Sequence, residues 1–171
     1  MTWTEIGPEV LVAGRPIVTL TSDDIVDLKE RASRNIRRRI RVCAHQNVND
    51  PVHEMLIVMA RGCYIRPHRH VGKSESFHII EGAIDLVVFD DVGVVTEIVR
   101  LGDYSSGDPF YYRGQGDVYH TVRVRSEYAV FHESTNGPFR REDSPAAPWS
   151  PEEADSAGVA DFLARLGLGA P

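Results

Sequence analysis

The stretch from Gly62 to Gly82 constrains this chain more than any other. It reads Gly-Cys-Tyr-Ile-Arg-Pro-His-Arg-His-Val-Gly-Lys-Ser-Glu and reaches its closing glycine, Gly82, seven residues after Glu75. His68 and His70 are two apart, so on an extended segment both imidazoles project from one face. Glu75 has the opposite parity, and a single straight strand cannot bring it to them. Gly72 lets the chain turn, after which Glu75 can open a second strand facing the first. Two imidazoles and a carboxylate on adjacent strands form a mixed nitrogen and oxygen donor set suited to a divalent first-row metal.

The complete spacing, Gly-x5-His-x-His-x4-Glu-x6-Gly, matches the first motif of the cupin superfamily at every fixed position, and the chain resembles that superfamily. The resemblance implies an all-β fold: a single cupin domain, an antiparallel β-barrel or jelly roll. It also implies a metal held by these residues and by a third histidine from a later strand. Several segments are more narrowly similar to the WbuC-type cupin fold metalloproteins: Pro67 to Glu75, Asp50 to Leu56, Phe131-His132-Glu133, Gly137-Pro138-Phe139 and Ala147-Pro148-Trp149. This similarity runs from roughly Ile17 to Glu153. It leans toward a biosynthetic setting such as surface polysaccharide or specialised-metabolite pathways, and by analogy with cupins it implies a homodimer.

His120 is the natural third imidazole. From Val118 to Arg125 the residues alternate, with His120, Val122 and Val124 on one face and Tyr119, Thr121, Arg123 and Arg125 on the other. One departure from the second cupin motif is visible: the stretch from Arg113 to Tyr119 keeps a glycine-rich turn but lacks the proline of Pro-x-Gly. The expected ligand set is His68, His70, Glu75 and His120. Such a set leaves a divalent ion near a net charge of +1 with open positions, as Lewis-acid, water-activating or oxygen-binding chemistry requires. Iron, zinc, manganese, nickel and cobalt fit it alike. A closed structural site would more often use cysteine thiolates, and Cys63 is too loosely placed to serve as a ligand.

Around these ligands, Tyr64 and Arg66 share the parity of His68 and His70 and are expected inside the barrel. Tyr64 and Glu133 are candidates for moving protons. Arg66, Lys73, Tyr111, Arg113, His132 and Arg39 are candidates for holding substrate; ordinary packing is the alternative for each. Tyr112 and Tyr119 lie on the same approach to His120. In the basic run from Arg34 to Val42, Arg37, Arg39 and Arg41 share a face. That face is either a solvated strand edge or a cluster binding carboxylate or phosphate. His78 is expected to face away from the metal, and His45 and His53 flank a loop around Asn49.

With 171 residues, 42% of them hydrophobic, the chain is expected to form one domain with a real core. Its net charge of −6 argues against general binding to nucleic-acid phosphates. No apolar run is long enough to span a bilayer, and Met1–Glu5 does not read as a secretory leader. Cys43 and Cys63 do not demand a disulfide, and a cytoplasmic protein is the simplest reading.

In chain order, one or two edge strands are expected within residues 1–20. A helix capped by Thr21 or Ser22 follows at 23–35, with an apolar stripe of Ile25, Leu28, Ala32 and Ile36. Strands are expected at 54–61, 83–89, 94–100, 110–112, 118–125 and 127–133, with turns at Asp90–Gly93 and Gly114–Asp117. A proline-rich stretch at 144–151 is expected to leave the barrel. A helix within 152–166 would then pack Val159, Phe162, Leu163 and Leu166 on the domain or on a second subunit. The division is 1–45, an extension packed on the barrel; 46–140, the barrel; and 141–171, the C-terminal segment and helix. The expected function is a metal-dependent enzyme acting on a small polar, anionic metabolite. The alternative is a non-catalytic cupin that binds a sugar or acid.

Overall fold

A computed structural model of the chain describes residues 3–115 and 117–167. Met1, Thr2 and Gly116, which belong to the leader and turn expectations, lie outside the described residues. In order, the elements are β1 (Trp3–Gly7), β2 (Val10–Ala13), α1 (Ser22–Arg34), β3 (Arg39–Cys43), β4 (Val52–Ala60), β5 (Ser74–Glu81) and β6 (Ala83–Phe89). They continue with β7 (Val95–Gly102), β8 (Tyr111–Gln115), β9 (Tyr119–Val124), β10 (Tyr128–Asn136), a 3-10 turn at Arg141–Asp143 and α2 (Ser156–Arg165).

The strands form two facing sheets. The larger has the order β1-β2-β3-β4-β10-β5-β8 and the smaller β7-β6-β9. The pairings are antiparallel apart from β2 with β3. Alternation along each strand decides what lies between them. Met55, Ile57 and Met59 of β4, Phe77 and Ile79 of β5, Ile84 and Leu86 of β6, Val122 and Val124 of β9, and Phe131 of β10 form the barrel core. The intervening residues of β4, Leu56 and Val58, face the opposite way, so this strand is covered on both sides as its unbroken apolar run requires. Gly72 (φ +67°) and Gly82 (φ +79°) reverse the chain on either side of β5 in the left-handed conformation that favours glycine.

The outer cover is α1. Thr21 caps it with a reciprocal pair: its hydroxyl accepts from the Asp24 N–H at 3.3 Å, and the Asp24 carboxylate accepts from the Thr21 N–H at 2.7 Å. Leu28 and Ala32 pack on Leu11, Ile40, Val42, Leu56, Val58 and Val130. Burying Leu28 contributes about 1.5–3 kcal/mol. Ile36 does not belong to this stripe. The helix ends at Arg34, and Ile36 is 99% exposed.

Three further expectations are corrected. β7 runs on to Gly102, and β8 through Gly114 to Gln115, where turns were expected to begin. The third concerns the proline-rich segment, which does not leave the barrel. It returns along the histidine segment, where Ala146 bridges His68 and the Ala147 N–H donates to the Pro67 carbonyl at 2.7 Å. Ala147 is wholly buried, and Val159, Phe162 and Leu163 of α2 pack on Val87, Phe89 and Tyr119 of the same domain. The proline-rich stretch thus acts as a strap that fastens the last helix to the smaller sheet. β3 lies inside the larger sheet between β2 and β4, so residues 1–45 contribute strands to that sheet as well as the covering helix.

Candidate metal centre

His68 and His70 do not lie on a regular strand. His68 forms isolated bridges to His120 of β9 on one side and to Ala146 on the other. Pro67, which has no N–H to give a ladder, precedes it. The segment is held by the backbone pair of His68 and His120 at 3.0 and 2.9 Å and by Thr121, whose hydroxyl donates to the Ile65 carbonyl at 2.5 Å. Glu75 is the second residue of β5, past the Gly72 turn, and is 5% exposed.

These placements bring His68, His70 and His120 together, with one ligand atom of each within 4.8 Å of the others. Each Nδ1 is already engaged. That of His68 lies 3.0 Å from the Arg66 carbonyl, that of His120 is 3.0 Å from the Val118 carbonyl, and that of His70 is 3.2 Å from the Ser144 hydroxyl. A carbonyl only accepts, so Nδ1 of His68 and His120 carries the proton and Nε2 presents a lone pair.

Glu75 closes the group. Its Oε2 lies 3.1 Å from His70 Nε2, and its Oε1 lies 2.7 Å from His120 Nε2. Despite these distances, His70 Nε2 and Glu75 Oε1 are buried without a partner at hydrogen-bond geometry. Donor atoms that crowd together and do not point at one another fit a shared cation. Three imidazoles, two of them with the tautomer set by a carbonyl, and one buried carboxylate are suited to a divalent metal.

The electrostatics are those of a tight cluster. Burial, reinforced by the neighbouring imidazoles, lowers His68 to about 4. On His120 burial pulls the same way, but the Glu75 carboxylate outweighs it and raises the imidazole. Burial would raise Glu75, yet contacts with His120 and His70 hold it well below the usual carboxylate range.

The remaining candidates divide by strand parity. Glu133 faces the barrel interior between Met55 of β4 and Phe77 of β5. The desolvating interior, and secondarily the Glu75 charge, push its carboxyl up to about 8. His132, the next residue back, faces outward and pairs with Glu54. On β8, Tyr112 points inward against Phe77, whereas Tyr111 and Arg113 are exposed on the other face, with Arg113 on the Ser74 hydroxyl at 3.2 Å. Burial, helped by Glu75, raises the Tyr112 hydroxyl to about 12.

Tyr64 and Arg66 are not beside the ligands. Ile65 packs on the barrel core, and the irregular backbone at Pro67 breaks the alternation that would have placed Tyr64 inside. Tyr64 packs on Phe162 and donates to the Pro151 carbonyl at 3.1 Å. Arg66 reaches the Ser150 hydroxyl at 3.2 Å and Glu152 at 3.5 Å. Lys73 donates to the Pro138 carbonyl at 2.5 Å and pairs with Asp143 at 3.1 Å. Arg39 pairs with Glu9 at 2.9 Å and with Glu153 at 3.4 Å. These four side chains secure the C-terminal segment and the N-terminal strands. Tyr112 was read from the sequence as lying on the approach to His120, without a role. Ser144 was not singled out, and no local pattern announces it.

Residues 20–101 match a family described as a domain of unknown function, DUF6016. That span holds His68, His70 and Glu75 but not His120. No curated protein matches the sequence. Among solved structures, a protein of Shewanella oneidensis superposes with a TM-score of 0.59 at 11% identity, covering 90% of this chain and 99% of that one. A Klebsiella pneumoniae protein with a double-stranded β-helix domain gives 0.49 at 16% identity, over 64% of this chain and 79% of that one. A cupin superfamily protein of Desulfitobacterium hafniense gives 0.45 at 12% identity, over 57% and 76%. The two facing, mostly antiparallel sheets have the arrangement of the expected cupin jelly roll. Within that fold it carries a three-histidine group that could hold a metal ion. No described helix is long and apolar enough to cross a membrane.

Proposed function

We propose that this chain is a metal-dependent cupin enzyme acting on a small polar, anionic metabolite, with His68, His70, His120 and Glu75 as the ligands. The observation that carries this reading is the convergence of three imidazoles whose Nδ1 atoms are engaged elsewhere, around a carboxylate they crowd without bonding. A divalent ion there would supply Lewis-acid or oxygen-binding chemistry. The chain itself supplies Glu133, raised to about 8 and without a hydrogen-bond or ion-pair partner among the described residues. At neutral pH it holds a proton that it can deliver to, or recover from, a substrate oxygen. Tyr112 adds a neutral phenol that can donate a hydrogen bond.

The competing reading is a non-catalytic cupin that binds a sugar or acid. It draws support from Tyr64 and Arg66, which are committed to docking the C-terminal segment and leave fewer groups free near the ligands. Elemental analysis of the purified protein beside His70→Ala is the first test. Close to one equivalent of metal in the wild type, lost in the variant, is expected. A folded wild type without stoichiometric metal would sink the metalloenzyme reading. Small-acid turnover that Glu133→Gln abolishes, with metal retained, separates the enzyme from the binding module.

A further inference from the structure

Gly114 is a glycine with no conformational reason to be one. It sits inside β8, and its φ is not in the left-handed region. Space is the reason instead. A Cβ added there would fall 1.9 Å from the Tyr112 hydroxyl oxygen and 2.7 Å from the ring carbon that bears it, and the three nearest atoms all belong to Tyr112. The phenol therefore folds back along its own strand and fills the place of the missing side chain.

Register puts that place beside a candidate ligand. Gly114 lies directly opposite Glu75 on β5, as Tyr112 lies opposite Phe77. Directly opposed residues have Cβ atoms about 4.5–5.5 Å apart, so the hydroxyl is within about 7 Å of the Glu75 Cβ. This end of the barrel is open to solvent: Tyr112 and Glu133 face inward, yet both keep accessible surface, as do His68 and His70. The Tyr112 hydroxyl has no hydrogen-bond partner among the described residues, whereas those of Tyr64 and Tyr128 are engaged, with the Pro151 carbonyl at 3.1 Å and with Ser33 at 2.7 Å. A half-buried phenol ordinarily finds a partner, and packing against Phe77 would be served as well by phenylalanine. The unused hydroxyl is placed to donate to a molecule that enters.

We propose that Tyr112 is a specificity-determining residue of the metal centre: its hydroxyl, held over Gly114, donates a hydrogen bond to an anionic oxygen of the molecule that the ion binds. The inference rests on the metal-dependent reading above and narrows its substrate class to small oxygen-donor anions. Nitrogen donors that keep no accepting lone pair gain nothing from the phenol. An anionic oxygen gains more from a hydrogen bond than a neutral one, so the preference is built into the donor. Gly114 is then a positioning residue, which leaves the phenol its room.

The probe is acetohydroxamate, a small anion that chelates through two oxygens, titrated into cobalt-loaded protein and followed by the cobalt absorption. Cobalt content and melting temperature are measured in the same samples. Tyr112→Phe removes only the hydroxyl, and Gly114→Ala puts a methyl where the hydroxyl sits. Each is expected to bind acetohydroxamate about five- to tenfold more weakly than wild type at unchanged cobalt content, the scale of one hydrogen bond. The double variant is expected to lose no more than Tyr112→Phe alone, because both changes remove the same contact. Imidazole, whose second nitrogen carries a proton once the ion takes its lone pair, is expected to bind Tyr112→Phe as tightly as wild type. Wild-type affinity for acetohydroxamate in Tyr112→Phe overturns the proposal. So do additive losses, which would assign the Gly114 effect to a bent strand, and an equal loss for imidazole. A wild type that takes up cobalt but binds no acetohydroxamate overturns it and leaves the metal reading standing. A wild type that takes up no cobalt sinks both, so the two failures are told apart.

Discussion

Replacing Glu75 by glutamine keeps the shape of the side chain and removes its charge, which isolates what the carboxylate does. In the metal-free protein each oxygen faces one imidazole, at 3.1 and 2.7 Å, in a site where Glu75 is 5% exposed. Truncating a buried charge pair costs about 3–5 kcal/mol when a charged partner is stranded. Here the carboxylate raises one of the two imidazoles, His120, so a loss of about 2–3 kcal/mol is expected, the scale of one charge-assisted contact. In a domain of this size each kcal/mol moves the melting temperature by about 2–4 °C, which puts the drop in chelator at about 4–12 °C. Zinc at about one hundred times its dissociation constant should stabilise the wild type by about 2.7 kcal/mol, a rise of about 5–11 °C. Most of that rise should vanish in Glu75→Gln, whose amide brings no charge to the ion. Differential scanning calorimetry with chelator and with zinc reads both effects. A variant that melts higher than wild type in chelator, or that keeps the full rise with zinc, would refute the assignment of Glu75 to the ligand set.

Two further outcomes are expected. His68 is lowered to about 4 in the folded, metal-free chain. As the pH falls from the ordinary imidazole value to about 4, the unfolded chain takes up a proton that the folded chain refuses, so stability declines across that window. The raised His120 acts in the opposite sense, and its contribution is lost as the pH climbs through its folded value. Urea denaturation in chelator should show the acid decline in wild type and a flatter one in His68→Gln; identical curves would exclude His68 as its source. Gly82→Ala is expected to cost more than about 2 kcal/mol. The position has φ +79°, and an added Cβ would fall 2.1 Å from the Tyr128 carbonyl oxygen, a backbone atom that cannot step aside. A melting temperature within about 2 °C of wild type would show that this turn is looser than described.

The grouping of His68, His70, Glu75 and His120 was legible because it depends on local spacing. Two histidines two apart, a glycine at the turn and a strand opening with Glu75 are all written within a short window, and the clean alternation of 118–125 places His120. The capped helix and the two-sided β4 were readable for the same reason, since periodicity and caps are local properties. The lining of the pocket was less accessible. Tyr64 and Arg66 were placed inside by assuming an unbroken strand, and one proline-centred irregularity reverses them. Tyr111 and Arg113 were preferred over Tyr112, and one step of parity separates them. Arg39 and Lys73 read as free cations because their carboxylate partners come from distant parts of the chain, Glu9, Glu153 and Asp143. Pairing between remote segments is a property of the fold, and no window of sequence contains it.

The strap of residues 144–151 fixes the order in which the centre can be assembled. It supplies the second bridge to His68, the bond to the Pro67 carbonyl and the hydroxyl beside His70 Nδ1. All of these come from chain that leaves the ribosome well after the four candidate ligands. A nascent chain that has emerged only as far as β10 therefore has its histidines but not the contacts that orient two of them. Full orientation of the donor group therefore belongs to a chain that already includes the strap.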